Sequence, residues 1–145
     1  MAYTILVINP GSTSTKVGVF EGGTKLFSES IEISAEAIAR FPTIASQYEF
    51  REKQVRDLLA AKGFDLGRLS AVVGRGGVIR PIPGGVYRVD EKMKKDILAA
   101  TYGEHASNLG ALIADRIGQD LGIPAFIADP VVVDELPPRV KITGI

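Results

Sequence analysis

The N-terminal segment carries two apolar runs with a polar turn between them, and this pattern constrains the fold more than any other part of the sequence. The apolar run Ile5–Ile8 leads into the polar segment Asn9–Lys16, and Val17–Phe20 then alternates apolar residues with glycine. Two short runs of this kind around a turn are typical of a β-hairpin. The sequence therefore predicts a domain whose sheet begins with an N-terminal hairpin.

The turn of this predicted hairpin reads Asn-Pro-Gly-Ser-Thr-Ser-Thr-Lys, so it is rich in hydroxyl groups and ends in a lysine. Such a turn offers many hydrogen-bond donors and one fixed positive charge with little bulk, which suits the binding of phosphate oxygens. The pattern indicates a nucleotide or acyl-phosphate enzyme. Ser and Thr are also common in ordinary hairpin turns, so on the turn alone both interpretations stay open.

Composition narrows the possible partners and the compartment. The 145 residues suffice for one domain with a hydrophobic core. Lys and Arg number 17, as do Asp and Glu, so the zero net charge gives no electrostatic reason to expect nucleic acid or an anionic membrane as a partner. The sequence has no cysteine, which excludes disulfides and thiolate chemistry and favours a cytoplasmic location. We also expect no signal peptide and no membrane-spanning segment.

Apolar periodicity and turn residues predict a mixed α/β domain that opens with a meander of three strands. The strands are predicted at Thr4–Ile8, Thr15–Phe20, Lys25–Ile33, Leu69–Val73 and Pro124–Ala128. The helices are predicted at Ser46–Lys62, Asp90–Ala100 and Glu104–Leu121, with Asp90 as an N-cap and Gly122 as a C-terminal stop. A glycine-rich loop is expected over Gly74–Gly85.

Polar residues that suit anion chemistry follow several of these predicted strands. Arg75 stands among glycines, His105 is the only histidine and opens the last predicted helix, and Asp129 follows the final strand. Ligands of α/β sheets bind where polar loops gather at strand ends, so we expect these residues to converge with the hairpin turn on one face. Each also has a plain structural interpretation: a solvated arginine, a helix-capping histidine, and an aspartate in a turn before Pro130.

Two common nucleotide-binding motifs are missing from the sequence. A Gly-x-x-x-x-Gly-Lys-Ser/Thr motif does not occur, which disfavours a P-loop enzyme. No Gly-x-Gly-x-x-Gly follows the first strand, which disfavours a Rossmann dinucleotide site.

Four stretches resemble the butyrate kinases of the acetate kinase family, and they occur in that family's order. They are ILVINPGSTSTKVGV at Ile5–Val19, AVVGRGGVIRPIPGG at Ala71–Gly85, GEHASNLGALI at Gly103–Ile113 and IPAFIADPVVVDEL at Ile123–Leu136. The resemblance implies an α/β ribonuclease-H-like domain with the actin-like ATPase fold, in which helices flank a mixed sheet. It also implies that residues 1–145 form the first of two domains with ATP bound between them.

The resemblance further implies a role for each polar position. Residues that resemble the family's catalytic groups are Arg75, His105 (followed by Asn108) and Asp129; residues that resemble its phosphate site are Asn9, Ser12, Ser14 and Lys16. The implied reaction is reversible transfer of the γ-phosphoryl group of ATP to butyrate, with Mg²⁺ bound as Mg·ATP rather than in a metal site of the protein. The partners implied are a short-chain carboxylate and its acyl phosphate, and the full-length family members form homo-oligomers.

Two alternatives stay open on the sequence. The first is a kinase for acetate, propionate or isobutyrate, because the residues lining the acyl pocket are not evident; apolar candidates are Val78, Ile79, Ile82 and Val86. The second is a non-catalytic actin-like module that binds phosphate or sugar. Family members are longer and carry the adenosine-binding domain in their C-terminal half, so we expect this chain alone to be inactive.

Overall fold

The computed structural model describes residues 2–77 and 85–128, and a six-stranded sheet organises them. The strands are β1 Thr4–Pro10, β2 Ser14–Glu21, β3 Thr24–Glu32, β4 Ala71–Arg75, β5 Val86–Arg88 and β6 Ala125–Ala128. Their order across the sheet is β3-β2-β1-β4-β6-β5. The first three strands pair antiparallel, which confirms the predicted meander, whereas β1, β4 and β6 run parallel.

Four α-helices connect the strands of the described part: α1 Ala35–Ala39, α2 Tyr48–Ala61, α3 Glu91–Leu98 and α4 Asn108–Leu121. The Asp90 side chain accepts a hydrogen bond from the Met93 N–H, which confirms the predicted N-cap of α3. Gly122 ends α4 with a φ of 69°, a left-handed conformation that a residue with a Cβ adopts only at a cost. Within residues 2–77 and 85–128, no helix is long and apolar enough to cross a membrane.

The core lies between one face of the sheet and the two longest helices. The helix α4 packs on β1, β4 and β6, and α2 packs against α4. Alternate strand residues such as Leu6, Ile8 and Ile127 are fully buried beneath these helices. Residues of the opposite alternation, such as Val7 and Asn9, are only partly buried on the other face. The helices therefore cover one face of the sheet, and polar side chains at the strand ends of the other face can line a site.

Predicted boundaries near the candidate site were wrong at three places. The strand β1 continues to Pro10 rather than ending at Ile8, and β2 begins at Ser14, so Asn9 and Lys16 are strand residues. The fourth strand is Ala71–Arg75 rather than Leu69–Val73, because the ladder continues through Gly74, which pairs with Ile8, to Arg75, which pairs with Ala128. Arg75 is therefore the last residue of a strand and not part of a loop. The prediction also missed α1 and β5, since both are too short to show apolar periodicity.

The last helix begins at Asn108 and not at Glu104 as predicted. The N–H groups of Asn108, Leu109 and Gly110 donate to carbonyls three residues earlier, so the chain tightens before the helix into turns of the 3₁₀ type. His105 consequently lies in the turn ahead of the helix.

Candidate functional site

Three predicted site residues lie together at one end of the central strands. The parallel strands β1 and β4 end there, and β2, which is antiparallel to β1, begins there. Asn9 and Lys16 are paired across the hairpin, and Ile8 pairs with Gly74, which places Arg75 beside Asn9. These three side chains line an open cleft of about 470 Å³ with an apolar floor that includes Val7. Within residues 2–77 and 85–128, neither Lys16 nor Arg75 forms an ion pair, so both charges are available to an anion.

Ser12 and His105 both line a second cleft. This cleft of about 340 Å³ is also lined by Gln47, Arg51 and Glu104. Both Ser12 and His105 are exposed. Of the described site residues, Asn9, Lys16 and Arg75 line one cleft and Ser12 and His105 line the other.

The remaining predicted residues occupy different positions. Ser14 is the half-buried first residue of β2, and its carbonyl accepts a hydrogen bond from the Gly11 N–H at 2.7 Å. Val86, a candidate for the acyl pocket, lies on β5 and is 65% exposed. Outside the described residues lie Asp129 and the other acyl-pocket candidates, Val78, Ile79 and Ile82.

Ser107 connects the strand that carries Arg75 to His105. Its Oγ accepts a hydrogen bond from the Gly77 N–H at 3.1 Å and lies 2.7 Å from Nδ1 of His105. The close approach requires glycine, because a Cβ on Gly76 would lie 2.6 Å from the Ser107 Cβ. The end of β4 and the turn before α4 are therefore held together as one unit.

The same contacts assign the tautomer of His105. The Ser107 backbone N–H donates to Nδ1 at 3.1 Å, and a backbone N–H can only donate. The Ser107 hydroxyl, which accepts from Gly77, has its own proton left to donate to Nδ1. In the neutral ring Nδ1 is thus the acceptor, and the proton resides on Nε2 at the opposite edge. The neutral ring of His105 therefore carries its N–H donor at Nε2.

We expect ¹⁵N NMR of the imidazole to show Nε2–H as the major neutral tautomer of His105. Because His105 is the only histidine, its ring nitrogens are resolved without assignment by mutation. Ser107→Ala removes one of the two donors to Nδ1 and should shift population toward the Nδ1–H form. A major Nδ1–H tautomer in the unmodified chain would contradict the assignment.

Asn108 supports the turn that contains His105. It is 3% exposed, and its Nδ2 donates to the Gly103 carbonyl at 3.1 Å. Its backbone N–H donates to the carbonyl of His105 at 2.9 Å. These contacts indicate that Asn108 shapes the backbone around His105.

The structure adds a residue that sequence reasoning missed. Arg51 of α2 is 1% exposed, and its guanidinium reaches the hairpin turn, where it donates to the carbonyls of Gly11, Ser12 and Ser14. Desolvation by burial lowers the pKa of Arg51. A signal was present in the sequence, because Arg51 shares the helical spacing of the buried residues Val55 and Leu59. An arginine on an apolar helix stripe needs buried acceptors, which the turn supplies.

The acidic and histidine residues of the described part do not form a metal-binding cluster. Within residues 2–77 and 85–128, no group of three or more His, Cys, Asp or Glu side chains could hold a metal ion. The larger cleft instead carries two cationic side chains, Lys16 and Arg75, with Glu29 also in its lining.

Comparison with curated proteins identifies relatives along the whole chain. No family model matches the sequence. The chain is 48% identical over 145 residues to a probable butyrate kinase of Clostridium botulinum, and this match covers 100% of the chain and 41% of that protein. A probable butyrate kinase of Listeria innocua is 49% identical over 144 residues, with 99% of the chain and 41% of the relative covered. The resemblance to butyrate kinases is thus confirmed, and the chain spans about two fifths of these relatives' length.

Solved structures identify the fold. Acetate kinase from Entamoeba histolytica matches 97% of the chain and 40% of its own chain, with a TM-score of 0.54 and 13% identity. An exopolyphosphatase from Cytophaga hutchinsonii matches 88% of the chain and 54% of its own, with a TM-score of 0.52 and 12% identity. The predicted α/β actin-like ATPase fold is therefore confirmed.

Proposed function

We propose that this chain is the first domain of an ATP-dependent carboxylate kinase whose preferred acid is butyrate. The observation that carries the proposal is the 48% identity with a probable butyrate kinase over all 145 residues. Because the chain covers 41% of that relative, the reaction belongs to a longer protein in which a second domain binds adenosine and completes the site. The longer protein is a cytoplasmic homo-oligomer in this proposal.

The proposed reaction makes butanoyl phosphate and ADP from butyrate and ATP. A carboxylate oxygen of butyrate attacks the γ-phosphorus, the bond from that phosphorus to the β–γ bridging oxygen breaks, and ADP leaves with the electron pair. Butyrate is already ionised at neutral pH, so no base is required to activate it. The protein has to align the reactants and neutralise phosphoryl charge, and this is where its cations and N–H donors act.

The two cationic side chains of the larger cleft have separate tasks in this proposal. Lys16 and the amide of Asn9 hold the β- and γ-phosphates at the hairpin. Arg75, fixed as the last residue of β4, binds a carboxylate or phosphoryl group through two parallel N–H donors. Their common cleft supports simultaneous contact with one bound phosphate and one bound carboxylate.

The second cleft and the turn supply neutral donors. The Nε2–H of His105 donates to an oxygen of the transferring phosphoryl group, and the hydroxyls of Ser12 and Ser14 bind the phosphates of ATP. Mg²⁺ enters with ATP and neutralises phosphate charge. We propose that Asp129 orients the acid or a water molecule on that Mg²⁺, since no proton has to be removed from the substrate.

Substrate preference is tested on the longer protein by coupled measurement of ADP release. We expect kcat/KM to be highest for butyrate when butyrate, isobutyrate, propionate and acetate are compared at saturating Mg·ATP. A maximum at another acid would reassign the substrate within the carboxylate kinases. Background ADP release with all four acids would favour the non-catalytic actin-like module instead.

Residues 1–145 alone are expected to show no kinase activity with butyrate and Mg·ATP. Phosphoryl transfer needs both reactants in line within a closed cleft that excludes water, and this domain contributes one wall of it. The measurement is coupled ADP release, with the longer protein assayed at equal molar concentration as the positive control. Turnover by residues 1–145 at a rate near that of the longer protein would disprove the two-domain proposal.

A further inference from the structure

Arg51 contacts the hairpin turn from its buried side and not from the cleft that Arg75 lines. Its Nη1 donates to the Gly11 carbonyl at 2.7 Å and to the Ser14 carbonyl at 3.1 Å, and its Nη2 donates to the Ser12 carbonyl at 3.3 Å. Nη1 also lies 3.3 Å from the buried hydroxyl of Thr15. One guanidinium thus holds the backbone of nearly the whole turn.

The guanidinium is itself held in one orientation. The Oε1 of Gln47, a side chain one turn earlier and 6% exposed, accepts from Nε at 3.0 Å and from Nη2 at 2.8 Å. Since Nε and Nη2 share an edge of the planar group, Gln47 fixes the plane in which the other N–H groups point at the turn.

The contacts of Arg51 determine where the N–H groups of the turn point. In a trans peptide the N–H is directed opposite to the C=O, and no peptide of the described part is cis. Because the carbonyls of Gly11 and Ser12 face Arg51, the N–H groups of Ser12 and Thr13 face away from it. Both residues are exposed, and within residues 2–77 and 85–128 neither N–H donates a hydrogen bond. These two adjacent N–H donors lie on the exposed side of the turn and are available to bind an anion.

The buried positive charge of Arg51 also favours an anion at the turn. In the part of the chain that the structure describes, its guanidinium has neutral partners and forms no ion pair. Glu104 lines the same cleft, but its Oε1 accepts from the Ile44 N–H at 3.2 Å rather than from Arg51. A buried cation without a counter-charge is costly, and an anion on the outer side of the turn would offset that cost.

We propose that Arg51 is a positioning residue for phosphate binding: it orients the turn so that the N–H groups of Ser12 and Thr13 bind a phosphate group of ATP. The nucleotide as the source of that phosphate rests on the function proposed above. Arg51 acts through the backbone and does not touch the ligand, which distinguishes it from Lys16 and Arg75.

The test measures Mg·ATP binding and kinetics in the longer protein for Arg51→Gln and Arg51→Lys. We expect Arg51→Gln to raise both the Kd and the KM for Mg·ATP by about 10- to 100-fold, the effect of losing oriented hydrogen bonds to a charged ligand. The KM for butyrate should change less than about threefold, because Arg75 is untouched. Arg51→Lys should be intermediate, since lysine keeps the charge but not the planar fork.

Arg56→Gln is the matched control for a merely structural effect. It lies on the same helix and loses ion pairs with Glu52 and Asp120 but does not contact the turn. We expect Arg56→Gln to lower the thermal midpoint of unfolding and to leave both the Kd and the KM for Mg·ATP unchanged. Guanidinium added to Arg51→Ala at millimolar concentration should restore part of the Mg·ATP affinity, because the space left by the buried Arg51 side chain would border the cleft that Ser12 and His105 line.

The outcomes separate this proposal from the proposed function. An unchanged Kd for Mg·ATP in folded Arg51→Gln would overturn the role of Arg51 and leave the kinase assignment intact. A raised Kd in a protein that phosphorylates none of the acids would support Arg51 and remove the kinase assignment. If Arg51→Gln does not fold, Arg51→Lys decides by the same measurement. Absence of Mg·ATP binding by the unmodified protein would overturn the proposal.

Discussion

Replacing Arg75 with alanine is expected to lower kcat/KM for carboxylate phosphorylation in the longer protein by on the order of 10²–10⁴. Arg75 is the last residue of β4 and shares its cleft with Asn9 and Lys16, where a phosphate and a carboxylate would both carry negative charge. Removal of a charge-matched donor from that position raises the barrier to phosphoryl transfer. Steady-state kinetics with butyrate and Mg·ATP measure the effect.

Arg75→Lys is expected to restore little of this loss, because lysine keeps the charge but cannot make two parallel hydrogen bonds to one anion. Arg88→Ala is the matched control, since Arg88 is an exposed arginine on β5 of the same sheet and does not line the cleft. Its kinetics should stay near those of the unmodified protein. Near-normal kcat/KM in both Arg75 variants would remove this residue from the mechanism.

Gly74→Ala is expected to destabilise the fold by about 3 kcal/mol or more. A Cβ on Gly74 would lie 2.3 Å from the carbonyl carbon and oxygen of Gly110, which is backbone at the start of α4. Neither side can move easily, because β4 is paired on both edges and α4 packs on three strands. Urea unfolding, followed by circular dichroism, gives the change in the free energy of unfolding.

Gly23→Ala is the control for the loss of a glycine. Gly23 lies in the exposed turn between β2 and β3, and an added Cβ would have no atom within 4 Å. We expect a change in the free energy of unfolding within about 0.5 kcal/mol. Equal stability of the two alanine variants would show that the contact between β4 and α4 is looser than the structure has it.

The sequence predicted those strands and helices that are marked by local features, such as apolar alternation, turn residues and helix caps. The meander follows from strand alternation around the polar segments Asn9–Lys16 and Glu21–Thr24, and Asp90 and Gly122 mark the start of α3 and the end of α4. The end of β4 could not be predicted this way. Gly74 and Arg75 are strand residues because β1 and β6 pair with them, and pairing partners remote in sequence leave no local signal.

The candidate site divides in the same manner. The sequence by itself determined which residues could do the chemistry, since Asn9, Lys16, Arg75 and His105 carry donors and charges regardless of the fold. Only the tertiary structure decided which of them share a cleft, and it alone connected Gly77 to Ser107 across 30 residues and Arg51 to Gly11 across 40. A buried polar group must find its partner wherever the packed chain brings one, so these contacts depend on the position of whole elements rather than on any local pattern.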